Sequence, residues 1–240
     1  DDNKLKVNKV IVDNYVRKDE FIETLMKQID DNTLLIIISD HGFTSFERAV
    51  SINTWLVENS FMTLTKYIGD DKAPLFQYVD WDNTKAYSLG FNSIYINLKG
   101  REEKGIIEDR NTIVKEIIKK LENLTDKKTG KKVINKAYKS EDIYQGNHVK
   151  DAPDIIIGFN PGYRMSWQNA IGGFTKETIN NNTKKWNGDH LIDPCLVPGV
   201  LFSNVKFNKT SANQPDIIPT IFDALNIHKP DYLDGKSLFE

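Results

Sequence analysis

The spacing of apolar residues changes along the chain, and each change predicts an element. Tyr15, Ile22, Leu25, Met26 and Ile29 recur at helical intervals, which predicts an amphipathic helix over 14–29. Asp30-Asp31-Asn32 ends it. Leu34 to Ile38 is then an apolar run without alternation, the pattern of a strand covered on both faces, as in a parallel sheet. Ile155-Ile156-Ile157 repeats that pattern, and Val197 to Phe202 does so with Pro198 and Gly199 interrupting it. A short helix is expected over 219–225, with Pro219 in its first turn.

The middle of the chain has a different texture. Lys85 to Leu89 and Ser93 to Leu98 read as short, partly alternating strands around Gly90-Phe91-Asn92. Ile106, Ile107, Ile113, Val114, Ile117, Ile118, Leu121 and Leu124 mark a long helix, and Val133 to Tyr138 another strand. Ile113, Ile117 and Leu121 should face the sheet. This order divides the chain into an α/β core, residues 1–83 and 139–240, with a small strand–strand–helix–strand α+β lobe at 84–138 set into it. The lysine-rich run 127–132 is expected to be an exposed hairpin-like turn.

Composition narrows the function classes. The 240 residues carry a formal net charge of −2, so there is no electrostatic footprint for nucleic acid and no basic stripe for a membrane surface. A single cysteine, Cys195, excludes an intrachain disulfide framework and a Cys-rich zinc site. No apolar run approaches the ~20 residues that span a bilayer. A cytoplasmic location is the expectation. The opening Asp1-Asp2-Asn3-Lys4 looks like neither a signal peptide nor a natural start, so the chain reads as a piece of something longer. No Walker loop, dinucleotide fingerprint or Gly-x-Ser-x-Gly elbow is present.

Candidate chemistry gathers at strand ends. Ser39-Asp40-His41-Gly42 directly follows the run ending at Ile38, where open α/β sheets place their ligand sites. Asp40 and His41 offer a carboxylate oxygen and an imidazole nitrogen, a donor pair suited to Zn²⁺ or Mn²⁺. The same residues are also ordinary turn chemistry. His190 lies in Trp186-Asn187-Gly188-Asp189-His190, before the last apolar run. Asp189 or Asp193 nearby could add an oxygen, but nothing in their spacing favours that over a solvated turn, and His148 and His228 are read as surface residues. Arg164, in Gly162-Tyr163-Arg164, has a planar fork that matches two phosphate oxygens.

These residues carry a resemblance. Leu35 to Phe43 with Ile52-Asn53-Thr54-Trp55-Leu56, then Tyr87-Ser88-Leu89-Gly90, Ile94-Tyr95-Ile96-Asn97, Ala152-Pro153-Asp154 and Gly162-Tyr163-Arg164, resemble the alkaline phosphatase superfamily. So do Gly188-Asp189-His190, Val197-Pro198-Gly199, Asp216 to Thr220 and Asp234 to Leu238. The type I phosphodiesterase/nucleotide pyrophosphatase-like branch is the nearest in pattern.

The resemblance implies a three-layer α/β/α core, present here in part, and a two-metal site acting on a small phosphoester. Asp40 and His41 would hold the ion that activates a Thr/Ser nucleophile, and His190 the other; zinc or manganese would suit both. Arg164 would bind substrate. The family also needs the nucleophile, a further Asp and an Asp/His pair upstream of Asp40, where this chain has 39 residues and no histidine. The chain therefore reads as a C-terminal half, inactive alone and completed by the missing N-terminal half of the same protein. Two alternatives stand beside the hydrolase. One is part of a phosphomutase resembling the cofactor-independent phosphoglycerate mutase. The other is a non-catalytic module that uses the 84–138 lobe for recognition, against which Asp40, His41 and His190 together weigh.

Overall fold

A computed structural model describes residues 2–66 and 75–240, with side chains from residue 9 onward. The chain is a mixed α/β fold. Its first part runs α1 (Asp2–Met26), β1 (Ile36–Ile38), β2 (Thr44–Val50) and α2 (Ile52–Glu58). Next come β3 (Ala86–Tyr87), β4 (Ser93–Ile96), α3 (Arg110–Leu121), β5 (Ile134–Lys139) and α4 (Ser140–Ile143). The last part holds β6 (Ile155–Phe159), β7 (Gly162–Met165), α5 (Trp167–Ala170), β8 (Ile179–Asn181), β9 (Gly188–Asp189), β10 (Leu201–Ser203) and α6 (Ile217–Ala224). Two compact units result: Asp1–Asp40 with Val200–Glu240, and His41–Gly199. No helix among the described residues is long and apolar enough to cross a membrane.

In the first unit, β1 pairs antiparallel with β10, Ile37 opposite Phe202. The apolar run ending at Ile38 had predicted a strand covered on both faces in a parallel sheet; instead Ile38 is 47% exposed. An unbroken apolar run asks for cover but says nothing about which strand supplies it or in which direction. α1 begins well before residue 14. Of its expected stripe, Ile22 and Leu25 are half-buried while Tyr15 and Met26 stay exposed. At the chain's end, Asp216 accepts from the backbone N–H of Lys236 (2.8 Å) and of Asn213 (2.9 Å). The Thr220 hydroxyl donates to the Asp216 carbonyl and accepts from Leu238 N–H (2.9 Å). These motif residues are thus a local latch.

In the second unit, β2 runs parallel to β7 and antiparallel to β8 and β9. A separate four-stranded antiparallel sheet has the order β3-β4-β6-β5. The strand–strand–helix–strand order expected for 84–138 is there, but the sheet is not confined to that segment. β6, from the stretch assigned to the core, lies between β4 and β5. Its Ile-rich run satisfied the pattern of a covered strand, which is silent about sheet membership. The lysine run forms the expected turn, closed by Thr125 bridging to Lys132 and by Gly130 N–H donating to the Asp126 carbonyl.

α3 starts at Asp109, whose side chain accepts from Thr112 N–H (3.1 Å) and so satisfies one orphan donor of the first turn. Val114, Ile117 and Leu121 are fully buried, with Ile113 only half so; the buried face is rotated slightly from the expected one. β-branched residues lower helix propensity by only about 0.5 kcal/mol each. Burying such a side chain contributes about 1.5–3 kcal/mol. Packing wins, and the helix forms on the sheet of Ile94, Ile96, Ile155 and Ile157, all of them buried.

β6 needs Gly158 for space. A Cβ there would sit 2.4 Å from Oδ2 of Asp193, which is fully buried and accepts from Tyr138 Oη (2.9 Å) and Asn135 Nδ2 (3.0 Å). Asp193 is tied down on several sides, so it cannot yield cheaply. Gly158→Ala is expected to lower stability by about 1–3 kcal/mol, the usual cost of overpacking. Urea unfolding measures it; a midpoint matching the parent would mean that the Asp193 carboxylate moves aside freely.

Candidate active site

The pairing of β2 with β9 carries the site. Thr44 lies opposite Asp189 and Ser45 opposite Gly188, so continuing the register brings Phe43 across from His190. His41 lies two residues before Phe43, just ahead of β2. The rings of His41 and His190 stack, with centroids 3.8 Å apart and planes 16° from parallel. Phe43 lies against His190 at 6.3 Å between ring centroids. Two histidines far apart in sequence are brought into contact by one strand pairing.

Their orientation is fixed locally. Nδ1 of His41 lies 2.7 Å from the Gly42 carbonyl oxygen. A carbonyl only accepts, so Nδ1 is the donor in this contact. Gly42 has no room for a side chain: a Cβ would meet the Pro198 carbonyl oxygen at 2.9 Å. Its N–H donates to the Val197 carbonyl (2.8 Å), which ties the His41 turn to the segment after His190.

Behind His190 stands a buried ion pair. Asp189 is 6% and Arg164 2% exposed, and Arg164 Nε donates to Oδ2 of Asp189. The other oxygen, Oδ1, accepts from the backbone N–H of His190 (2.7 Å) and Leu191 (3.2 Å). Arg164 lays its guanidinium 4.1 Å from the ring centre of Trp167 and 5.5 Å from that of Phe91. The sequence left Arg164 between a substrate-binding fork and a surface arginine on a turn; it is buried, and its Nε donates to Asp189, whose other oxygen holds the backbone that carries His190.

For Asp189 and Asp193, spacing did not favour a ligand role over a solvated turn. Both are buried. Burial pushes the Asp193 carboxyl up, but hydrogen bonds from Asn135, Cys195 and Tyr138 outweigh it and hold the group below the usual carboxylate range. Tyr138, desolvated and bonded to Asp193, is pushed up to about 12. The hydrogen bond with Asp193 also pushes the Cys195 thiol up, so the lone cysteine is kept from the thiolate form that nucleophilic chemistry needs. Asp193 had a readable signal: an Asp just before Pro194 suits the cap of a short helical turn, and its side chain does accept from Cys195 N–H (3.1 Å). Asp189 had none, because its cation comes from β7.

The remaining histidines fall as expected. His148 is exposed, with Nδ1 3.4 Å from Asp151, and His228 is exposed. Asp40 is exposed in the other unit, shortly after β1.

Comparison with known proteins decides the family. The chain matches the model of type I phosphodiesterase / nucleotide pyrophosphatase over residues 6–190. It belongs to that family. No curated protein and no solved structure matches it. The match ends on His190 and takes in Asp40, His41 and Arg164. Membership places the α/β fold in the alkaline phosphatase superfamily and the chain among phosphodiesterase- and pyrophosphatase-type hydrolases.

One family motif is explained by structure alone. Asn53, in Ile52-Asn53-Thr54-Trp55-Leu56, is fully buried. Its Nδ2 donates to the Ser88 carbonyl (2.9 Å) and its Oδ1 accepts from Ser88 N–H (2.9 Å), while its own N–H donates to Asn169 Oδ1 (2.6 Å). It clamps α2 to the β3 end and to α5.

This type I phosphodiesterase family is typically metal-dependent, so the donor set must be tested against that chemistry. Among the described residues no three His, Cys, Asp or Glu side chains gather as a metal site would require. The stacked pair supplies two imidazoles, and the Asp189 oxygens beside them are already engaged. A catalytic zinc calls for about three protein ligands. Among the described residues, these donors do not make up a complete metal centre.

Proposed function

We propose that these residues are part of a metal-dependent phosphoester hydrolase site. In it Asp40 and His41 belong to one divalent ion, zinc or manganese, and His190 to its neighbour. The substrate class is a small phosphoester, not nucleic acid. The supporting observation is the stacked His41–His190 pair, with ring centroids 3.8 Å apart. Ion-sharing sites need ligands of neighbouring metals side by side, since the ions lie about 3.5–4 Å apart. Arg164 serves this reading as a positioning residue, holding His190 through Asp189.

No nucleophile is assigned within the 240 residues, no third ligand for the first ion, and none beyond His190 for the second. This polypeptide alone is therefore expected to bind metal weakly and to turn over nothing. The test is to dialyse the purified chain, measure bound Zn²⁺ and Mn²⁺, and assay an activated phosphodiester with both ions added. Sub-stoichiometric metal and no turnover are expected. Near-stoichiometric metal, with turnover that Asp40→Ala abolishes, would show instead that the site is complete here. The ligand assignment has its own readout: Zn²⁺ should shift the imidazole NMR signals of His41 and His190 together. Shifts confined to His148 and His228 would sink it.

A further inference from the structure

The loop that carries His190 is held from a second side. The turn between β3 and β4, Gly90-Phe91-Asn92, belongs to the antiparallel sheet of β3, β4, β6 and β5, not to the strands around β2. From it, Asn92 Nδ2 donates to the carbonyl oxygen of Leu191 (3.2 Å). The Leu191 N–H already donates to Asp189 (3.2 Å). The residue after His190 is thus gripped at its N–H by Asp189 and at its carbonyl by Asn92. This second grip has a firm base. The Asn92 carbonyl accepts from the Ile157 N–H of β6 (2.8 Å), and the Asn92 N–H donates to Met165 Sδ (3.3 Å). Phe91, one residue earlier, has its ring centre 5.5 Å from the Arg164 guanidinium carbon.

The turn by itself does not call for asparagine. Asn92 has a φ of 58°, in the left-handed region, where glycine is free of strain and asparagine is only tolerated. Asn92 is 8% exposed, and its buried Oδ1 has no hydrogen-bond partner among the described residues. A buried acceptor without a partner bears the full cost of its desolvation. Turning the amide over gives no relief, since Oδ1 would then face the Leu191 carbonyl, one acceptor against another. Glycine would have neither cost. What glycine lacks is the donor to Leu191. Leu191 is only half-buried, so its carbonyl can turn to water when that donor is gone.

We infer that Asn92 is a positioning residue for the candidate site: by holding the Leu191 carbonyl it fixes the His190 loop, so that the imidazole keeps its stack on His41. The sheet of β3, β4, β6 and β5 thereby acts on the site through one side-chain amide. That a displaced His190 would impair hydrolysis rests on the hydrolase reading above; the positioning itself does not.

The experiment compares the 240-residue chain with Asn92→Gly and Asn92→Asp by urea unfolding and NMR. Glycine suits the backbone and removes the orphan oxygen, so the Asn92→Gly midpoint should match or exceed that of the parent. The loop should loosen all the same. The nuclear Overhauser contact between the C–H protons of the His41 and His190 rings, stacked at 3.8 Å between centroids, should fade. The Leu191 amide should exchange at least about tenfold faster, as expected when a local closing contact is lost. Asn92→Asp keeps the size and the backbone preference, but an ionised carboxylate only accepts, so it should show the same two changes. Ring contact and exchange left unchanged in either variant would overturn the inference. So would their loss in step with a lower midpoint in Asn92→Gly, which would make Asn92 part of the general packing. A failed metal or turnover assay would leave the inference standing.

Discussion

Arg164→Met is expected to cost about 3–5 kcal/mol of folding stability, because it removes one partner of a buried ion pair and leaves the other charge behind. The methionine replaces most of the buried length. What it cannot replace is the donor to Asp189, which is 6% exposed and has no room to reach water. Coulomb attraction in the intact pair offsets the cost of drying both charges; a lone carboxylate bears that cost with the N–H groups of His190 and Leu191 and the His190 ring, Nδ1 3.5 Å from Oδ1, to help. Adding Asp189→Asn should recover much of the loss, since the amide oxygen can still accept from His190 N–H without carrying a charge. Chemical denaturation of the single and double variants measures both effects. An Arg164→Met midpoint within about 0.5 kcal/mol of the parent, the range of ordinary surface changes, would show that the pair does not hold the His190 loop.

Asp154→Ala should destabilise on the same scale, about 3–5 kcal/mol, by a different route. Asp154 is 1% exposed and collects Arg101 (Nη2, 2.7 Å), Arg110 Nε and the Ile96 backbone N–H (2.6 Å). Alanine would leave two guanidinium groups facing each other and a β4 donor unmet. Acid should reproduce part of this. Burial pushes the carboxyl up, but Arg101, the Ile96 N–H and Arg110 together hold it below its ordinary value. A folded-state pKa below the unfolded ~3.9 means a contribution that is complete above about pH 4 and lost as the pH falls through the folded value. Asp126, held down by Arg48 against its own burial, and Asp193 act in the same direction. The parent's denaturation midpoint should therefore drop below about pH 4, and Asp154→Asn should flatten that drop. A parent curve that stays level to pH 2 would contradict it.

Local pattern made some of this legible and not the rest. The α3 face, the lysine turn and the short strands around Gly90 follow from periodicity and turn chemistry, which act within a few residues. Pairing does not. The apolar runs at Leu34 and Ile155 show that a strand needs cover, yet β1 takes one antiparallel neighbour and β6 enters the sheet of β3, β4 and β5. At the site, His41 and His190 stood out as residue types, and the register between β2 and β9 was what joined them. Arg164 was noticed for its fork. Its commitment to Asp189 depends on β7 and β9 both lying beside β2, which no local window contains. Asp189 was missed for the same reason, since a buried carboxylate is recognisable only once its cation is known.

The position of β6 bears on how the chain is made. It is the last strand of its sheet to be synthesised, and in space it lies between two earlier ones. β4 and β5 have no edge in common, so they cannot zip together while they wait. At about 5–20 residues per second, the stretch of roughly sixty residues from β4 to the end of β6 takes about 3–12 s to emerge. Throughout that interval Ile94 and Ile96 line an open strand edge, joined by that of Ile134 once β5 has emerged, and another strand could pair with either. A nascent chain paused before residue 155 would expose two unfinished half-sheets, and those are what a ribosome-bound chaperone would meet first.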